Sequence, residues 1–123
     1  MTKRETLDKV FSEYIWQRDC PDGVGRCITC GRVITPATCD AGHYISRRVT
    51  ATRWNGLNVN AQCRACNRFS YGKENEYRLA LISRYGLYVV EELEDMAKRE
   101  VHMRDSDYDA LITLYKNLLY GKS

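Results

Sequence analysis

Histidine is scarce in this chain of 123 residues, which holds only His43 and His102. Any chemistry that needs an imidazole near neutral pH therefore has few candidates. Long apolar runs are missing too: no stretch approaches the roughly 20 residues that a membrane-spanning helix requires. The opening "MTKRETLDKVFSEYIWQRD" has no small-residue cleavage site of a secretory signal. The expected location is therefore the cytoplasm, with no membrane partner. Internal repeats and low-complexity tracts are absent. The length suits one domain, 1–123, with a core modest enough that a metal staple would help.

Lysine is rare where positive charge is densest. Residues 26–84 carry 10 basic and 3 acidic side chains, and nine of the ten are arginine. Residues 1–25 carry 4 basic and 5 acidic, and residues 85–123 carry 5 and 8. The planar guanidinium fork matches phosphate oxygens better than a lysine point charge. A basic middle between acidic ends suits a polyanionic partner, although a solvated basic surface would look the same.

Apolar Leu7, Val10, Phe11, Tyr14 and Ile15 follow helical spacing, and Thr2 with Glu5 forms a capping box, which predicts a helix over 3–18. "CPDGVG" is a turn-rich link. From Cys27 to Cys66 only "RVIT" and "HYIS" look like strands, enough for a small hairpin. "KENEYRLALISRYG" reads as a second helix, with Tyr77, Leu81 and Tyr85 as its stripe and Gly86 just past its end. A third helix is expected over 88–103, built on Val89, Leu93, Met96, Ala97 and Val101, with the acids Glu91, Glu92, Glu94 and Asp95 complementing its dipole. A fourth is expected over 107–120, built on Tyr108, Leu111, Ile112, Tyr115, Leu118 and Leu119. His102 reads as a structural residue near a helix end.

Six cysteines in a reducing compartment argue for metal rather than disulfides. "CITC" supplies Cys27 and Cys30, and "CRAC" supplies Cys63 and Cys66. Two such knuckles bring four thiolates to one tetrahedral zinc, whose closed shell stabilises the fold and catalyses nothing. The 32 intervening residues exceed the roughly 15 to 20 of a simple ribbon, so something is held in that loop. Cys20 and Cys39 read as ordinary buried thiols.

That loop opens with "CDAGHYISRR" and closes with "GLNVNAQCRACNRF". His43, then Asn58, then Asn67 directly after the second cysteine pair resemble the HNH nuclease motif in a His-Asn-Asn form. "CDAGHYISR" with "CRACNRFSYGKENEYRLALISRYG" is similar, more narrowly, to the NinG or Rap proteins of lambdoid phages, which act on branched DNA during recombination. The likeness covers residues 27–86 well. It implies an α+β fold of zinc-stapled ββα-metal type (the His-Me finger class) over 27–86, flanked by the helix at 1–18 and a helical extension at 87–123. It further implies a phage- or prophage-encoded endonuclease that works in the bacterial host.

His43 would be the general base, since hydrolysing a phosphodiester needs one that is neutral near pH 7. Asn58 would hold the ring or the loop so that the correct imidazole nitrogen faces water. Asn60, two residues on, competes for that role. Asn67 would supply an oxygen to a catalytic Mg²⁺ or Mn²⁺. Many HNH sequences have a metal-binding aspartate directly before the histidine; here Gly42 stands there. Asp40 is the expected substitute ligand if the strand bends at Ala41 or Gly42, with Glu74 or Glu76 as alternatives. Arg47, Arg48, Arg53, Arg64 and Arg68 would contact DNA phosphates, and Tyr44 or Trp54 would stack on an unpaired base or pack in the core. A non-catalytic DNA-binding module and a zinc knuckle serving protein contacts are the rival readings. The carboxy-terminal helices would pair in a homodimer or cover the monomer's own core.

Overall fold

The computed structural model describes residues 1–69 and 73–121 and is a mixed α+β fold. In chain order come α1 (Lys3–Asp19), β1 (Gly25–Arg26), β2 (Val33–Ile34), a 3-10 turn at Pro36–Thr38, β3 (Cys39–His43), α2 (Thr50–Arg53), β4 (Val59–Cys63), a π turn at Ala65–Phe69, α3 (Glu74–Tyr85), α4 (Leu87–Met96) and α5 (Asp105–Tyr120).

The first helix starts where its capping box predicts. Thr2 Oγ1 accepts from the Glu5 N–H at 3.1 Å, and Glu5 Oε1 accepts from the Thr2 N–H at 2.8 Å. Two of the helix's orphan donors are thereby satisfied. Leu7, Val10, Phe11 and Ile15 are buried. Leu7, Phe11 and Ile15 pack with Val59 and Trp54, and with the inner face of α5. Tyr115 of α5 meets Phe11 edge-on, with ring centroids 4.9 Å apart. Among the alternatives for α5, its inner face therefore covers this chain's own core, while Leu114 and Leu118 stay exposed.

The main sheet is the antiparallel pair β3–β4, in register from Cys39 opposite Cys63 to His43 opposite Val59. The strand expected at "HYIS" lies earlier, at "CDAGH", and Tyr44–Ser46 belong to the following loop. "RVIT" contributes only Val33–Ile34, paired with Gly25–Arg26. A single hairpin is marginal by itself, and here both faces are covered. One packs on α1. Over the other lies α3, whose buried Tyr77 donates from its hydroxyl to Gly42 O at 2.7 Å and accepts from Asn60 Nδ2 at 3.2 Å.

Three expectations need correction. Helix α4 ends at Met96 rather than at 103: only its Val90 and Leu93 are buried, Val101 is exposed, and Met103 packs instead against the core that α5 covers. The acids from Glu91 onward sit beyond its first turn, too far along for the dipole to explain them; Glu94 instead accepts both Arg78 Nε and Nη2, at 2.7 and 3.0 Å. His102 is off the helix and exposed, with Glu100 at 3.7 Å. Gly86 does stand past the end of α3, at φ 94°, a left-handed conformation that disfavours other residues. No helix among the described residues is long and apolar enough to cross a membrane.

Tyr77→Phe removes one donor and one acceptor from a fully buried site and leaves Gly42 O and Asn60 Nδ2 without them. The expected cost is about 1–3 kcal/mol, read as a lower denaturation midpoint at unchanged slope.

Candidate metal centre and active site

Cys27 and Cys30 follow β1, Cys63 ends β4 and Cys66 lies in the π turn. All four sulfurs lie within 4.8 Å of one another. A tetrahedral ion with metal–sulfur bonds of about 2.3 Å holds its ligands roughly 3.8 Å apart, and Cys30 Sγ and Cys63 Sγ are 3.8 Å apart. The chemistry and the spacing both fit zinc. Burial opposes ionisation of Cys27, but the Thr29 hydroxyl and neighbouring N–H groups outweigh it and bring this thiol down to about 6. Among the described residues this is the only group of three or more His, Cys, Asp or Glu side chains so disposed.

Cys20 and Cys39 are buried as expected and lie against each other in the same cluster. Burial, with the neighbouring Cys20 and Asp40, pushes the Cys39 thiol up to about 11. Such thiols are poor nucleophiles at neutral pH.

His43 closes β3 half-buried, and its Nε2 lies 2.9 Å from Arg53 O. A carbonyl only accepts, so Nε2 carries the proton and Nδ1 keeps its lone pair. Burial, joined by the charges of Arg47 and Arg53, holds the imidazole below the ordinary histidine value against the opposing pull of the Arg53 carbonyl and Asp8. The ring is therefore neutral at physiological pH.

Asn58 is fully buried and holds the loop that carries the Arg53 carbonyl. Its Oδ1 accepts from Ile45 N at 2.8 Å, and its Nδ2 donates to Ile45 O at 3.0 Å and Thr52 O at 3.1 Å. Asn60 has other work, because its Oδ1 accepts from Arg18 and Arg84 and its Nδ2 donates to Tyr77.

Asp40 and Asn67 do meet: Asn67 Nδ2 donates to Asp40 Oδ2 at 2.9 Å. Arg68 forks both oxygens of the same carboxylate at 2.9 Å each. Partial burial pushes Asp40 upward, but Arg68, Asn67 and Arg64 outweigh it and the group stays below its usual range. The strand does not bend at Gly42. It stays in register, so Asp40 and Gly42 share the face opposite His43. A Cβ at Gly42 would come within 2.9 Å of Gln62 Cβ, so the Gln62 side chain fills the place the missing aspartate would take. Glu74 and Glu76 are exposed in the first turn of α3, where acid complements the dipole. As arranged, these groups form an ion-paired set and not an oxygen-lined pocket, and they do not fit a catalytic divalent ion.

Of the arginines, Arg47, Arg48, Arg64 and Arg68 are exposed, whereas Arg53 is buried. Arg53 donates to both Asp8 oxygens, at 3.1 and 2.6 Å, and to Arg47 O at 3.0 Å. It is a structural residue and not a phosphate contact. Trp54 is buried and donates to Asp8 Oδ1 at 2.9 Å. Tyr44 donates to Glu94 and tilts against Tyr77. Trp54 therefore packs in the core, and Tyr44 is half-buried against the core beside α3.

Sequence reasoning missed Asp8 and Asp19. Asp19 Oδ2 accepts from Ala61 N at 2.8 Å on the outer edge of β4. Its signal was legible, because an acid in the last turn of a helix opposes the dipole and calls for a tertiary reason. Asp8 gave no such signal.

Two knuckles that gather four thiols, a hairpin held between helices and a basic middle define a metal-knuckle α+β domain. Comparison with known proteins is narrower. The family model described as "NinG: Bacteriophage Lambda NinG protein" matches residues 3–121, and the chain belongs to that family. Protein ninG of Escherichia phage lambda is 42% identical over 86 residues, and that of Salmonella phage P22 is 41% identical over 86 residues. In both, the match covers 67% of this chain and 38% of the relative, so the chain spans under two fifths of the relatives it matches. No solved structure matches it.

Two outcomes are expected here. Cys63→Ser removes one of four metal bonds, and with it bound zinc by elemental analysis and cooperative folding by circular dichroism. Because the folded-state value of His43 is depressed, the unfolded chain takes up a proton first as pH falls below about 6.5. Stability from this group is full above that pH and is lost toward the folded-state value. The drop in melting temperature from about pH 7.5 to 5.5 should be smaller in His43→Gln than in the wild type.

Proposed function

We propose that this chain is the core of an HNH-type DNA endonuclease of ββα-metal architecture, stapled by structural zinc, that hydrolyses phosphodiester bonds in branched recombination intermediates such as Holliday junctions and D-loops. The observation that carries the reading is the His43 ring: a neutral imidazole with its proton fixed on Nε2 and its Nδ1 lone pair available to take a proton from water. Family membership supports it, and so do, as phosphate contacts, exposed Arg47, whose charge acts on the ring, and exposed Arg48 next to it in the chain. Asn58 is a positioning residue that acts through the loop. No step is assigned to a divalent ion.

A second reading, a non-catalytic zinc-dependent DNA-binding module, is favoured by one observation: the Asp40 carboxylate is closed off by Arg68. Cleavage of four-way junction and linear duplex DNA, with Mg²⁺ or Mn²⁺ and without either, separates the two. The wild type is expected to cut the junction, and His43→Ala to lose at least about 100-fold in rate with binding intact. Undiminished cutting by His43→Ala ends the role of the ring, and binding without cutting by the wild type establishes the second reading.

A further inference from the structure

A polar cavity of about 240 Å³ lies on the outer edge of β4, between the carboxyl-terminal ends of α1 and α3 and beside β1. Three guanidiniums line it, Arg18, Arg26 and Arg84, with one carboxylate, Asp19. Arg18 and Asp19 are largely occupied with each other and with the strand edge: Arg18 donates to both Asp19 oxygens, Gly56 O, Val59 O and Asn60 Oδ1. The other two are not. Arg26 gives one hydrogen bond, to Gly31 O at 3.0 Å, and Arg84 gives one, to Asn60 Oδ1 at 3.3 Å. A guanidinium has five N–H donors, so each keeps most of its donors, and no carboxylate pairs with either among the described residues.

With Asp19 cancelling Arg18, the cavity wall carries a local charge of about +2. Fully buried Asn60 holds Arg18 and Arg84 in place through one shared oxygen. Helix-dipole complementation accounts for Arg18 and Arg84 in the last turns of α1 and α3. It does not account for Arg26, which reaches the same cavity from β1. Like charges converging on one polar cavity suit an anion of matching charge. A phosphodiester carries a single negative charge, whereas a phosphate monoester carries about −1.5 to −2 near pH 7 with three strong acceptor oxygens.

We propose that this cavity binds a phosphate monoester through Arg26 and Arg84, and that its ligand is the phosphorylated end of a DNA strand. The nucleic-acid source rests on the DNA-processing reading above; the phosphate chemistry does not.

The test is fluorescence anisotropy with the full chain in its His43→Ala form, using oligonucleotides of one sequence ending in 5′-phosphate, 3′-phosphate or hydroxyl. Calorimetry with inorganic phosphate runs beside it. A phosphorylated end is expected to bind about tenfold tighter than a hydroxyl end. Arg26→Gln and Arg84→Gln should each lose that preference, while Arg104→Gln, at the amino-terminal cap of α5 and outside the cavity lining, keeps it. Both cavity arginines are exposed, and unchanged melting curves check that the variants fold. Inorganic phosphate that binds through Arg26 and Arg84 without end preference keeps the site and overturns the DNA source. No preference and no phosphate binding overturns the site itself. Cleavage is not read, so a chain that never cuts DNA leaves this result standing, and a failure here leaves the His43 test untouched.

Discussion

Four sulfurs drawn to one point are the constraint on which the rest of this domain depends. The β3–β4 hairpin has five residue pairs, too few to be stable alone, and its connection runs from Tyr44 through Asn58. The Cys63 end of β4 is joined through the cluster to Cys27 and Cys30 of the preceding turn, so the hairpin is fixed where its chain ends would otherwise fray. Closing so long a loop costs entropy that few apolar contacts here could offset. Metal–thiolate bonds to an ion held by these four sulfurs would be strong enough to do so, and would let the middle of the chain be polar and still fold.

Staple and helices together let the strands carry unusual residues. Asn58, Asn60 and Gln62 are all fully buried in or beside β4. Each buried amide needs partners, and the helices and loops supply them: Tyr77, Arg18 and Arg84 to Asn60, the 45–52 loop to Asn58, and Thr29 to Gln62 at 3.2 Å. The hairpin consequently separates two chemistries. One face ends in His43, held by a backbone carbonyl beside the Asp8–Arg53 pair. The other carries Asp40 with Arg68 and Asn67. Strand alternation, and not distance along the chain, is what divides the residues that the motif groups together.

That alternation also explains what could be read in advance. Cysteine spacing is a local pattern with a local meaning, and the four ligands came together. The capping box at Thr2 and the periodicity of α1 and α3 were equally local. The bounds of the two longest strands were hard to read because "CDAGH" has no branched or aromatic residue and "VNAQC" has only Val59; they pair because both faces are covered. The helix expected over 88–103 stops at Met96 for the converse reason, since Val101, on its predicted apolar stripe, finds no cover and stays exposed. Asn67 beside Asp40 followed from the motif. The closure of that carboxylate by Arg68 depends on a tertiary contact that no spacing reveals.

Charge composition needs the same reading. Ten positive residues between 26 and 84 suggested a broad phosphate-binding surface, yet Arg53 is buried on Asp8 and Arg78 is forked on Glu94. Arg64 and Arg68 lean on Asp40 at 3.7 and 2.9 Å. Those ion pairs are intramolecular, and an anion can recruit the exposed ones only by competing with a carboxylate already in place. Arg48, Arg26 and Arg84 have no acidic partner among the described residues, and Arg47 only the outer side of Asp8 at 3.3 Å. The positive field available to a polyanion is thus smaller than the count implies. What remains of it lies with Arg47 and Arg48 beside the His43 loop, with Arg26 and Arg84 at the outer edge of β4, and with exposed Arg32 just before β2.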